Sequence, residues 1–169
     1  MKIAIGFQLK DNSWGGGNQF VEALVNTLKK RGDEIIFNLK DNDIDIILFF
    51  DPRFYNEGIT FGAHDILNYL FFINKKAIVI HRINECDERK NTWHMNKLLK
   101  FSNYCSDHTI LISTWLSSLD IYQKDIPFSI IFNGADSKVF NPSLNTSWDK
   151  KGIFKIVTHH WSPNYMKGF

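Results

Sequence analysis

The stretch KIAIGFQLKDNSWGGGNQFVEALVNTLKKRGDEIIF, Lys2–Phe37, decides the fold. Its opening run, Lys2–Phe7, is short and apolar and reads as a strand. Phe20, Val21, Leu24, Val25 and Leu28 then recur at helical spacing and mark one buried helix face. Gly32 follows as a C-cap, Lys29, Lys30 and Arg31 suit the negative end of that helix, and EIIF (Glu34–Phe37) reads as a second strand. Strand, helix, strand is the repeating unit of a parallel sheet. Between the first strand and the helix stand Gly15, Gly16 and Gly17. Three residues without side chains at a helix N-terminus leave backbone N–H groups uncovered at the positive end of the dipole. A phosphate or a sugar can approach there; the competing reading is a flexible turn.

The same alternation continues along the chain. IDIILFF (Ile44–Phe50), AIVI (Ala77–Ile80), TILI (Thr109–Ile112) and FSIIF (Phe128–Phe132) read as strands. A helical stripe of Ala63, Ile66, Leu67, Leu70 and Phe71, a helix around Met95–Tyr104 and a short helix through Tyr122 separate them. Near-continuous apolar strands divided by helices require a sheet covered on both faces. The expected fold is α/β, a Rossmann-like doubly wound parallel sheet over residues 1–142. SLNTSWDKKG (Ser143–Gly152) is polar and aperiodic and reads as a linker. IFKIVT (Ile153–Thr158) then starts a new strand, so residues 153–169 are expected to open a second domain that is truncated here.

Composition narrows the function. The 169 residues carry a net charge of +2, too mild for the basic stripe of a nucleic-acid-binding surface. No apolar run reaches the ~20 residues of a membrane span, and the apolar start has no cleavage site behind it, so neither an anchor nor a signal peptide is expected. Cys86 and Cys105 show no metal-type spacing. Two free thiols and a reducing, cytoplasmic setting follow as expectations. DNDID (Asp41–Asp45) precedes a strand and so belongs to the wrong sheet edge for a metal site; a solvated turn is expected. His159 and His160 are adjacent, and neighbours on a strand point apart, so no shared metal is expected there.

Ligands of open parallel sheets sit beyond the carboxyl ends of the strands. The polar residues that directly follow each apolar run therefore delimit a site: Gln8–Asn18, Asn38, Asp51–Arg53, His81–Asp87, Ser113–Trp115 and Asn133–Asp136. This set suits a hydroxyl-bearing, partly anionic ligand. The dinucleotide fingerprint is not met, because a longer loop precedes the glycines and Asn38 stands where the acidic residue belongs. A Walker loop is excluded, since no Gly-Lys-Ser/Thr follows. His81, placed at the end of the fourth apolar run, is expected to face the crevice and to hydrogen-bond a hydroxyl or phosphate. Asn18, Arg82, Ser113, Asn133, Gly134 and Asp136 are further candidates for its lining.

Taken in order, the glycine loop after the first strand, His81 after the fourth, ILIS before a short helix and IFNGAD…VFNP before the linker resemble the N-terminal half of a GT-B glycosyltransferase of the group 1 kind, family 4. HRINECDERK and KIVTHHWSPNYMKGF resemble a bacterial branch of that family, and the resemblance covers the whole chain. It implies transfer of a sugar from a nucleotide-sugar donor to a glycan or lipid-linked acceptor, with retention and without metal or cofactor. It further implies that Gly15, Gly16 and Gly17 approach the donor phosphate or sugar, that His81 contacts the transferred sugar as the catalytic residue, and that Lys167 steadies the donor diphosphate. The arginine that commonly precedes this lysine is replaced within HHWSPNYMKG, which implies contacts shared with residues such as His160. The missing C-terminal domain would hold the nucleotide, so the 169 residues alone are expected to be inactive. Enzymes of this kind also make peripheral membrane contacts, for which the basic cluster Arg89–Lys100 is the candidate; a solvated helix face is the other reading of that cluster. The alternative function is a non-catalytic sugar- or partner-binding module, for example one half of a split transferase; a small-molecule oxidoreductase fits the fold but not the glycine loop.

Overall fold

A computed structural model describes residues 1–11, 15–53, 58–138, 140, 141, 143 and 150–153. The chain divides into two compact units, Met1–Phe132 and Asn133–Phe169. The first ends at Phe132, ahead of the linker-like composition that begins at residue 143.

The first unit is a six-stranded, all-parallel sheet flanked by helices, in the order β2-β1-β3-β4-β5-β6. Its strands are β1 (Lys2–Ile5), β2 (Glu34–Ile36), β3 (Ile46–Phe49), β4 (Ile78–Ile83), β5 (His108–Leu111) and β6 (Phe128–Ile130). Helix α1 (Gly15–Lys30) joins β1 to β2, α2 (Ala63–Phe72) joins β3 to β4, and α3 (Asp87–Lys90) with α4 (Met95–Ser102) joins β4 to β5. The strand order runs outward from β1 in both directions. Crossovers of one hand then put α1 on one face and α2 and α4 on the other, which is the meaning of doubly wound.

Alternation along the strands feeds the two layers. Ile3, Ile5, Leu48 and Phe50 pack with Val21 and Val25 of α1. Ala4, Ile47, Phe49 and Val79 point the other way, onto Ile66 and Tyr69 of α2. Under α4 lies a third cluster, where Ile83 and Leu111 meet Met95, Leu99 and Leu116. β2 returns to β3 without a helix. The connecting segment is pinned at the N-terminal sheet edge, where Lys2 Nζ bonds Asp41 and Asp43 at 2.9 and 2.8 Å and the Tyr69 hydroxyl donates to the Asp41 carbonyl. The aspartates of DNDID thus serve a turn, as their place before a strand requires.

Two boundaries differ from the sequence reading. α1 takes in the glycines as its first turn, with Gly15 at φ +48°, a left-handed conformation that a side chain would strain. β4 runs on to Ile83 and so includes His81 and Arg82, because its polar residues find buried partners and the ladder with β3 and β5 continues through them.

Candidate functional site

The strand order reverses between β1 and β3, and a crevice of about 410 Å³ opens there beyond their carboxyl ends. Gly17 and Phe20 of α1 form one wall, Phe50, Asp51 and Arg53 after β3 the floor, and Arg82, Asn84 and Glu85 from the end of β4 the opposite side, closed by Thr92 and His94. A Cβ built on Gly16 would meet nothing, and one on Gly17 would meet only the Phe7 ring, at 3.8 Å. Packing therefore does not demand glycine at these two positions; their effect is a rim of bare main chain. The first-turn N–H groups of a helix have no intrahelical acceptor.

The loop that leads to this rim is held by Asn18. Its carboxamide is buried, accepts from Lys10 N–H at 2.9 Å and donates to the Lys10 carbonyl at 3.0 Å. Asn18 is a clamp between α1 and the segment after β1, and it does not line the crevice.

Charge in the crevice is arranged in pairs. Arg53 reaches both oxygens of Asp51, Nε to Oδ1 at 2.8 Å and Nη2 to Oδ2 at 2.5 Å, while its own N–H also donates to Oδ1. Lys90 stands 3.5 Å from Glu85 Oε2, an oxygen with no hydrogen bond among the described residues. Arg82 is 5 % exposed, and its guanidinium lies 3.8 Å over the ring of Phe20, with Phe50 also beneath it. Burial lowers its pKa to about 10, so it remains a cation at neutral pH in a poorly hydrated place. Behind them, Asp87 accepts from Met95 and Asn96 N–H at 2.9 and 3.0 Å and so caps α4 from a distance, while Arg89 donates to the Asn84 carbonyl.

His81 is a correction to the sequence reading. Alternation on β4 turns Arg82 into the crevice and His81 to the opposite face, in register with Phe49 and Thr109. The imidazole is fully buried and stacks on Phe49 with ring centroids 4.1 Å apart. Asn103 Nδ2 lies 3.1 Å from His81 Nδ1 and also donates to Thr109 Oγ1 at 2.9 Å, while Asn103 Oδ1 accepts from Gln123 N–H. The Nδ1 that accepts from Asn103 carries no proton, which places the proton on Nε2, an atom with no partner among the described residues. Burial drives the pKa of His81 down to about 3, against a smaller opposing pull from Asp51, and the ring is neutral.

Ser113 follows β5, is half-buried and does not line the crevice. Asn133, Gly134 and Asp136 are exposed and belong to the second unit, where Asp136 Oδ1 accepts from Lys138 N–H at 2.8 Å and its carbonyl from Phe140 N–H at 2.7 Å. Asp136, the last residue of NGAD, thus caps the turn at Ser137 and Lys138. Lys167 and the pair His159 and His160 lie outside the described residues. Cys86 and Cys105 are free and buried. Among the described residues no group of side chains could hold a metal, and no helix is long and apolar enough to cross a membrane.

An all-parallel doubly wound sheet with a switch-point crevice defines a Rossmann-like α/β protein. Compared with known proteins, the chain matches no family model, no curated protein and no solved structure.

Proposed function

We propose that this chain is the acceptor-side lobe of a GT-B glycosyltransferase of the group 1 kind, which passes a sugar from a nucleotide-sugar to a glycan or lipid-linked acceptor. The crevice lining carries the reading: carboxylates fixed by cations, Asp51 on Arg53 and Glu85 beside Lys90, set among the rings of Phe7, Phe20 and Phe50. Sugars present hydroxyls that both donate and accept, together with apolar C–H faces. Prepaid ion pairs offer acceptors and donors in fixed directions, and aromatic rings take the C–H faces. The order of the sequence motifs supports the same class.

Within this reading Arg82 takes the place first given to His81, since Arg82 is the β4 side chain that lines the cleft. Gly15, Gly16 and Gly17 leave room for the donor to approach the main chain, and Lys167 steadies its diphosphate. Fixed positive charge near a departing diphosphate is the physical core of such chemistry. The nucleotide belongs to a second, donor-binding lobe.

The test is nucleotide release from a panel of nucleotide-sugars, with the 169-residue chain alone and with a donor-binding lobe supplied in trans. Release only when the lobe and an acceptor glycan are both present is the expected result. Turnover by the 169 residues alone overturns the division of labour. Glycan binding that never becomes turnover with any donor lobe leaves the non-catalytic module as the function.

A further inference from the structure

Between α3 and α4 the chain makes a four-residue turn, Asn91–His94, at the mouth of the crevice, with Thr92 and His94 in its lining. Trp93 stands between these two and is 86 % exposed, the most exposed aromatic side chain among the described residues. A lone exposed apolar residue is ordinary. An indole is the largest apolar body a side chain offers, though, and in a core or an interface it buries roughly 150–250 Å². Its ring lies 5.4 Å from the His94 imidazole, edge to face, so it is one ring's width from the crevice lining.

The turn is fastened on both sides. Asn91 takes the left-handed φ of +53°, and its N–H donates to the Asp87 carbonyl, as the Thr92 N–H does at 3.3 Å. The Asp87 carboxylate accepts from the Thr92 hydroxyl and from Met95 and Asn96 N–H. The start of the same segment is tied to the crevice wall, Arg89 donating to the Asn84 carbonyl and Lys90 standing 3.5 Å from Glu85. These bonds fix the backbone of the turn and leave the indole open to solvent. A surface held this way loses little conformational freedom when a ligand settles on it.

We propose that Trp93, with His94 beside it, is a stacking platform for the second sugar of an extended acceptor whose first sugar occupies the crevice. A pyranose presents hydroxyls at its edge and C–H bonds on its faces. Inside the crevice the Asp51–Arg53 and Glu85–Lys90 pairs address the hydroxyls, and outside it the indole takes a C–H face. A donor-binding lobe is the competing occupant. Protein interfaces set their aromatic anchors in a core depleted of charge, whereas Trp93 stands within six positions of Asp87, Glu88, Arg89 and Lys90. Such polar surroundings suit the hydroxyl edge of a sugar. The inference rests on the reading of the crevice as an acceptor site and narrows it: the acceptor is a glycan of at least two pyranose units.

The experiment is an NMR titration of the 169-residue chain, read at its indole Nε1–H signals. The probes are the methyl glycosides of glucose, galactose, mannose and N-acetylglucosamine, and the disaccharides cellobiose, lactose, mannobiose and chitobiose. At least one disaccharide should bind about tenfold tighter than its monosaccharide and shift the Trp93 signal, which is assigned by its absence from Trp93→Ala. Trp93→Ala should lower that disaccharide to the affinity of the monosaccharide and leave the monosaccharide unchanged, while Trp93→Tyr restores most of the difference. The side chain is exposed, so the circular dichroism spectrum should not change. Disaccharides that bind no better than monosaccharides, or a Trp93→Ala protein that keeps the wild-type preference or weakens both sugars alike, overturn the inference and leave the crevice reading standing. So does Trp93→Ala that loses affinity only for a donor-binding lobe. If no sugar binds the wild-type chain, the crevice reading falls and the inference falls with it.

Discussion

Acidification should weaken this fold through one buried imidazole, and the effect can be isolated. His81 is neutral inside the fold, with its pKa near 3, while in the unfolded chain it titrates at its ordinary 6.5. Below pH 6.5 the unfolded state binds a proton that the folded state refuses, so stability falls as pH falls and levels off only near pH 3. Above pH 6.5 the residue adds no slope. Each pH unit well inside the window is worth about 1.4 kcal/mol, and because the unfolded ring is half protonated at its pKa, the step from pH 6.5 to pH 4.5 removes about 2.3 kcal/mol. That is a large share of the 5–15 kcal/mol typical of a folded domain. Carboxylates held below their usual range, such as Asp33 by Arg31 and Asp43 by Lys2, weaken the protein in the same direction once they begin to protonate. His81→Phe separates the two sources. Phenylalanine keeps the stack on Phe49 and removes the proton site, and Asn103 still bonds Thr109. Urea denaturation of both proteins at pH 7 and pH 4.5 should show the wild type losing about 2–3 kcal/mol more than the variant. Parallel pH dependences would refute the buried neutral imidazole. If the variant does not fold, NMR of the wild-type ring gives the same answer: it should stay neutral down to pH 4, with Nδ1 unprotonated.

Two further perturbations test the scaffold and the crevice. Asn18→Ala removes both bonds to the Lys10 backbone, so chemical denaturation should show a loss of about 1–3 kcal/mol, with faster amide exchange at Gln8–Asp11. Arg82→Met keeps an apolar stem over Phe20 and deletes the cation; acceptor-glycan binding followed by NMR should weaken about tenfold, equivalent to about 1.4 kcal/mol, and unchanged affinity would remove Arg82 from the site.

The fold was legible because parallel strands are buried on both faces, so runs such as AIVI and IILFF stand out against amphipathic helices such as α1. Asp51, Arg53, Arg82, Asn84 and Glu85 all fall within the strand-end segments that sequence alone delimits, which locates the crevice. What hid was the end of β4. The apolar run stops at Ile80, yet the strand continues through two polar residues whose partners, Asn103 and Phe20, lie far away in sequence. Hydrophobicity cannot signal a residue buried by tertiary partners. The clamp role of Asn18 was hidden for the same reason, since both of its bonds go to the backbone of a residue whose identity carries no signal.

That boundary changes the chemistry assigned to the cleft. A histidine following the strand is free to turn to its rim, whereas one inside the strand is committed to a face, and a side-chain period of two sends its neighbour to the other. On β4, Val79, His81 and Ile83 are therefore core, while Arg82 serves the crevice. An imidazole poised near neutrality gives way to an arginine that is charged at any physiological pH, beside carboxylates already matched to cations. Such a lining orients hydroxyl groups and tolerates developing negative charge, but His81, expected to hydrogen-bond the sugar or phosphate, is sealed away from it. Within the proposed transfer this lobe accordingly binds and positions the acceptor, and the departing diphosphate has to be stabilised by groups that approach across the glycine rim.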